Sequence, residues 1–167
     1  MTQEILDAAT RSPESFVVVD GNGRVVAGVI NFDLENEPPT AFLGMMAPIE
    51  AMLVRGEASA RREIARRGIA PGRTLHCFVM ATDVSLGFAE NVRLIGLMEE
   101  EMLRLAARGG YAAVLTVNTN RVTQEICKAL GYEMYEMVEF CTFEFEGRRP
   151  FAGVKPGLGA IGAVKYL

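Results

Sequence analysis

The sequence predicts an α/β domain, a sheet flanked by helices, and three observations carry that expectation. TLHCFVMA (74–81) and YAAVLTV (111–117) read as strands and bracket a long helical stripe, the pattern of a βαβ unit. SFVVVD (15–20) and RVVAGVINF (24–32) flank Gly21-Asn22-Gly23, and β-branched runs around residues that tolerate positive φ make a hairpin. Half of the 167 residues are apolar, enough to bury a core without a metal or disulfide staple. The length fits one domain of the usual ~100–200 residues.

The elements follow in order. Ile5, Leu6 and Ala9 mark a short helix, stopped before Ser12-Pro13 by the restriction a proline places on its predecessor. After the hairpin, Pro38-Pro39 closes the strand unit. From Ala41 to Arg67 apolar residues recur at helical spacing (Met45, Ile49, Met52, Leu53). Glu57 with Arg61 and Glu63 with Arg67 form i,i+4 pairs on its polar face. Gly68 and Pro71-Gly72 end that helix. The long helix runs from about Phe88 to Arg108, with Val92, Ile95, Met98, Met102 and Leu105 on one stripe and Gly109-Gly110 after it. A helix over 121–130 stops at Gly131, YEMYEMVEFCTFEFEG (132–147) alternates as a long strand, and AIGAVKYL (160–167) can pair as the last one.

Composition excludes several functions. The charge is 17 − 21 = −4, which disfavours a nucleic-acid platform needing a broad basic face. His76 is the single histidine, so no His₂ or His₃ zinc site can form within one chain. Cys77, Cys127 and Cys141 are odd in number and form no CxxC, which disfavours a disulfide framework or zinc knuckle. No apolar run approaches the ~18 residues of a membrane span, and MTQEILDAAT carries acids where a signal peptide has a basic stretch. The expectation is a soluble cytoplasmic domain with no membrane or nucleic-acid partner.

Chemistry concentrates where TLHCFVMA meets the long helix, at Asp83 to Asn91. A strand ends, a glycine loop follows, and a helix begins with its amides pointing outward, an arrangement that binds anions. An ordinary strand-to-helix loop has the same pattern. The four arginines Arg61, Arg62, Arg66 and Arg67 read as a solvated face balanced by Glu57 and Glu63. The nine methionines read as core filler, and Cys77 and Cys141 as small buried residues.

The order of elements, with two motifs, resembles the GNAT superfamily of acyl-CoA-dependent N-acyltransferases. Gly87-Phe88-Ala89 sits where that family's [Q/R]xxGx[G/A] loop wraps the coenzyme A pyrophosphate. Asn118-Thr119-Asn120 through Lys128-Ala129-Leu130-Gly131-Tyr132 looks like its N-x-x-a-x-x-x-Y-x-x-x-G-[FY] segment. Within the superfamily, GYEMYEMVEFCTFEFEGRRPFAGV…AVKYL is similar to the C-terminal strands of invertebrate arylalkylamine (dopamine-type) N-acetyltransferases. The likeness spans Ser15 to Leu167. It implies a mixed, mostly antiparallel sheet splayed between TLHCFVMA and YAAVLTV, so that a pantetheine arm can pair as an extra strand. It also implies acetyl-CoA as co-substrate, a small primary amine as acceptor, and direct transfer within a ternary complex. Coenzyme contacts would come from Val79, Met80, Leu86, Gly87, Phe88, Ala89, Glu90 and Asn120, with a strand amide near Val79–Met80 polarising the thioester carbonyl.

Three departures qualify the resemblance. The loop's leading Arg or Gln is Val84, and Glu90 adds negative charge near an anion site. The family's general-acid tyrosine falls on Cys127, and a thiol, with its reference pKa of ~8.5, can protonate a departing thiolate. Thr123, one turn earlier, falls where invertebrate relatives have a serine. Only about fourteen residues precede the first strand, so the family's first strand and helix are expected to be absent. SFVVVD then becomes a bare apolar edge, and a homodimer or larger oligomer is expected.

The family's catalytic Glu-Pro pair lies on that absent helix, so its role is not carried to Glu37-Pro38. His76, on the strand before the coenzyme loop, is the candidate base, since an imidazole titrates near neutrality. It stands one residue out of register with strand histidines of vertebrate-type relatives, and one residue flips the face of a strand. The alternative is a structural histidine. The second functional expectation is accordingly a non-catalytic member, binding coenzyme A or serving as an oligomeric interaction module.

Overall fold

A computed structural model describes residues 3–39 and 46–167. Ala41 to Met45, the first turn of the expected second helix, lie outside the described residues. The element order is α1 (Gln3–Ala9), β1 (Phe16–Val19), β2 (Val25–Asp33), α2 (Ala47–Arg66), β3 (Thr74–Thr82), α3 (Phe88–Arg108), β4 (Ala113–Asn118), α4 (Arg121–Ala129), β5 (Glu133–Glu139) and β6 (Gly159–Tyr166). The strands form one six-stranded mixed sheet in the order β1-β2-β3-β4-β6-β5, flanked by helices. No described helix is long and apolar enough to cross a membrane.

The chain divides into two compact units. The first holds residues 1–38, 69–114 and 166–167. Its core is the β1–β2–β3 meander, antiparallel throughout, with Phe16 opposite Val29 and Phe32 opposite His76. Along β2, Ala27, Val29 and Asn31 are buried on one face, and Phe32 is buried on the other. β1 stands at the end of the strand order, and Val17 and Val19 are 62% and 56% exposed on it. α3 buries Met98, Met102 and Ala106, its i, i+4, i+8 stripe. At their N-terminal ends β3 and β4 are tied through the amides of Ala112 and Ala113, which both donate to the Arg73 carbonyl (2.7 and 3.3 Å).

The second unit holds residues 39–68 and 115–165. α2 lies close on β6, a contact that Gly56 and Gly162 make possible. A Cβ at Gly162 would stand 2.5 Å from the Gly56 carbonyl oxygen and 3.1 Å from the Ala60 Cβ. The expected long last-but-one strand is a correction. β5 ends at Glu139, and Phe140 to Phe143 turn, with the Phe143 amide donating to the Phe140 carbonyl (3.2 Å). The alternation of VEFCTFEF promises a strand, but its aromatic rings are gathered inward instead. Phe143 is buried with Met52 and Ala160, and Phe151 meets Phe140 and Phe143 at centroid distances of 6.2 and 6.0 Å. Aromatic burial outweighs the strand propensity of the tail.

Candidate functional site

The glycine loop begins where the last β3 residues are still paired to β2. The Asp83 amide donates to the Val26 carbonyl (2.8 Å), extending the ladder by one bond. The Asp83 carboxylate then folds the loop. Its Oδ1 accepts from the Ser85 hydroxyl (2.6 Å) and the Ser85 amide (2.8 Å), and the Arg24 guanidinium meets its other oxygen. These donors, the Ser85 hydroxyl foremost, hold the Asp83 carboxyl down at about 2. The depressed value means the clamp stabilises the fold above the ordinary carboxylate range near ~4. That stabilisation is lost as pH falls through about 2. Asp83→Asn is expected to flatten this acid-side loss, read as the difference in urea midpoint between pH 5 and pH 2.5.

α3 starts at Gly87, an extended N-cap (φ −65°, ψ 155°) with no side chain capping the helix. The Asn91 amide is the first to bond back, to the Gly87 carbonyl at 2.9 Å. Amides of the first turn have no partner within a helix, and here Phe88, Ala89 and Glu90 are exposed around them. A Cβ at Gly87 would meet nothing within 4 Å, so the mouth is open rather than packed. Val84 is fully exposed and offers no donor, and Glu90 stands in the first turn. Leu86 is half-buried behind them. The geometry therefore gives an anion backbone amides and a helix dipole, with a carboxylate opposing.

β3 carries a bulge that the sequence conceals. Ile30 pairs with Val79 and Asn31 with Cys77, which leaves Phe78 as the extra residue. Phe32 and Ile30, two apart on β2, share a face, and cross-strand partners share theirs. His76 (opposite Phe32) and Val79 (opposite Ile30) thus point to the same side although they are three apart. The bulge shifts by one the face parity between His76 and the glycine loop. The ring is buried, packs edge-on to Phe78 (centroids 6.2 Å, 90°), and its Nδ1 contacts the Glu37 carboxylate. Glu37, which the sequence reading sets aside, is therefore beside the candidate base. Met80, opposite Val29, points to the other face.

Beyond His76, the same face forms an apolar groove of about 500 Å³. Ile30, Val79 and Ala81 floor it, and Leu6 and Ala9 of α1 wall it. Among the described residues, Thr10 and Ser15 supply its hydroxyls and no charged side chain lines it. The Ser15 hydroxyl is held by the Asn31 backbone, donating to the carbonyl (3.1 Å) and accepting from the amide (3.0 Å).

The remaining predicted residues lie in the second unit. Asn120 is the N-cap of α4, its Oδ1 accepting from the Thr123 amide (3.0 Å), while the Thr123 hydroxyl donates back to the Asn120 carbonyl (3.1 Å). Asn118, which the sequence reading quotes only as the start of a motif, and Gln124, which it does not single out, organise the interior of this unit. The Asn118 side chain donates through Nδ2 to the sulfur of Cys127 (3.3 Å), which is fully buried. Gln124 Nε2 donates to the carbonyls of Asn118 (3.3 Å) and Gly159 (3.1 Å), joining α4 to the end of β4 and the start of β6. Only the NTN segment hinted at such a network, through residues that favour helix caps.

No protein-family model matches the chain. Among curated proteins it is 31% identical over 141 residues to the β-alanyl-bioamine nonribosomal peptide synthetase ebony of Drosophila melanogaster. The match takes in 82% of this chain but only 16% of that protein. Among solved structures, the C-terminal condensation domain of Ebony in complex with β-alanyl-dopamine superposes with a TM-score of 0.87 at 27% identity, over 98% of this chain and 77% of that one. A mosquito arylalkylamine N-acetyltransferase-like protein (5b) gives a TM-score of 0.76 at 16% identity, over 100% and 82% of the two chains. A Drosophila melanogaster polyamine N-acetyltransferase that forms N-acetylagmatine gives 0.71 at 18%, over 98% and 79%.

Proposed function

Because this chain has the GNAT fold, with insect arylalkylamine and polyamine N-acetyltransferases among its neighbours, we propose that it joins an acyl thioester to a primary amine. The observation that carries the reading is the likeness to a condensation domain holding an amide, β-alanyl-dopamine. The amine nitrogen attacks the thioester carbonyl, so that a C–N bond forms as the C–S bond breaks. The ammonium proton passes to the His76 imidazole, directly or through a water, and the leaving thiolate takes a proton from solvent. A β3 amide near Val79–Met80 would meet the carbonyl oxygen, and the amides of Leu86 to Glu90 would meet the phosphates when coenzyme A carries the acyl group.

The groove favours an amine with an aryl or alkyl body. Its apolar lining suits such a body, whereas the second cation of a polyamine would meet no carboxylate among the described lining residues. Dopamine and tyramine are therefore better acceptors than agmatine on this reading. The donor is acetyl or β-alanyl, and the kinship with ebony supports the second. A non-catalytic role is favoured by one observation, the poor anion mouth made by Val84 and Glu90.

Ligand binding separates these readings. Acetyl-CoA at a hundredfold excess over its dissociation constant stabilises the native state by ~2.7 kcal/mol, which a thermal scan resolves. Gly87→Glu is expected to abolish that shift, since a side chain and a charge would enter the open mouth. No shift at millimolar acetyl-CoA would remove coenzyme A as the donor handle and leave the non-catalytic role ahead.

A further inference from the structure

We infer that Gly28 sets the amine specificity of this site by leaving room for an aryl ring on the floor of the groove; the inference rests on the acyl-transfer reading and names the residue that selects its acceptor. Gly28 stands in the interior of β2. A glycine there weakens a strand, through its entropy and through the side chain it fails to pack. Such a residue ordinarily has one of three structural reasons: a left-handed φ, a bulge, or a backbone approach that leaves no room for Cβ.

None of the three applies to Gly28. Its φ lies outside the left-handed region. The register shifts fall at Val18/Val19 on the β1 side and at Ile30/Asn31 on the β3 side, so Gly28 is regularly paired with Val17 and with Ala81. A Cβ at this position would stand 3.6 Å from the Phe16 carbonyl oxygen and 3.6 Å from Val17 Cγ1, which is ordinary van der Waals contact. The glycines of β6 are the contrast, since a Cβ at Gly159 or Gly162 would press on the carbonyl oxygen of Val138 or Gly56. What the missing side chain provides at Gly28 is space.

That space has a definite place. Val17, Gly28 and Ala81 form one cross-strand row, and all three line the groove. The next row on the same face, Ile30 with Val79, lies about 7 Å along the strands. Leu6 and Val17 are exposed beside the gap, so a planar apolar ring laid on Gly28 would cover side chains that water now reaches. A ring on the first row leaves a two-carbon tail to carry its nitrogen toward the second, where the amide near Val79 is to meet the thioester carbonyl. Any larger residue at position 28 would occupy the ring's seat.

The test compares phenethylamine with propylamine, two primary amines that differ in the ring, on the full chain with whichever donor gives amide. Gly28→Ala and Gly28→Val are both expected to keep or raise Tm, because a strand interior favours a side chain and a β-branched one most. The ratio of kcat/KM for phenethylamine to that for propylamine should fall by about tenfold or more in Gly28→Val, and by less in Gly28→Ala. Calorimetric binding of dopamine, which needs no turnover, should weaken in the same order. A lower Tm for Gly28→Ala would make the glycine structural and overturn the inference. An unchanged amine ratio in Gly28→Val overturns it too, as does dopamine binding that the substitution leaves intact. If dopamine binds the wild type but not Gly28→Val, and no donor yields amide, acyl transfer fails and the ring seat stands. Amide formation with no preference for the aryl amine would keep acyl transfer and remove the seat.

Discussion

His76→Gln is expected to lower the rate of amide formation by about 10²–10⁴-fold, the usual contribution of a positioned base. The glutamine can keep a hydrogen bond to Glu37 and fills much of the same space among Phe32 and Phe78, so the fold should survive. What it cannot do is accept a proton at neutral pH. The loss should therefore appear in kcat, with thermal unfolding and the acetyl-CoA shift largely retained. A variant that turns over within threefold of the wild type would demote His76 to a packing residue and leave the amine proton to water.

The largest effect on stability belongs to the second unit. Gly162→Val is expected to destabilise the protein by about 3 kcal/mol, a fall in Tm of roughly 6–12 °C for a chain of this size. The first atom of any side chain would already press on the Gly56 carbonyl at 2.5 Å, and that oxygen belongs to helix backbone, which cannot swing away. α2 would have to lift from β6. Gly153→Ala is the matched control, since its Cβ would meet nothing within 4 Å. Equal melting temperatures for the two variants would mean that α2 and β6 do not pack as described.

Elements with local punctuation were legible in the sequence. α3 runs over Phe88–Arg108 as the apolar stripe between Gly87 and Gly109-Gly110 indicates, and β1 and β2 meet around Gly21-Asn22-Gly23. What was not legible depends on residues distant along the chain. Arg24 reaches Asp83 across 59 positions, and Glu37 reaches His76 across 39, so no spacing rule could pair them. The bulge at Phe78 leaves an apolar strand reading as an unbroken one. The turn after Glu139 is set by rings of Phe140, Phe143 and Phe151 finding one another, and alternation alone could not reveal it. In the second unit, Asn118 and Gln124 became visible only once α4 was placed against the ends of β4 and β6.

The central claim is that this domain makes an amide from a thioester and a primary amine. Its most direct measurement is the mass of the product formed when purified protein is given acetyl-CoA or β-alanyl-CoA with dopamine, tyramine or agmatine. The account predicts N-acyl dopamine or N-acyl tyramine above the enzyme-free rate, with agmatine slower and His76→Gln close to background. If no donor and amine pair yields amide above that background, the chain is not an acyltransferase for these substrates, and the claim is contradicted.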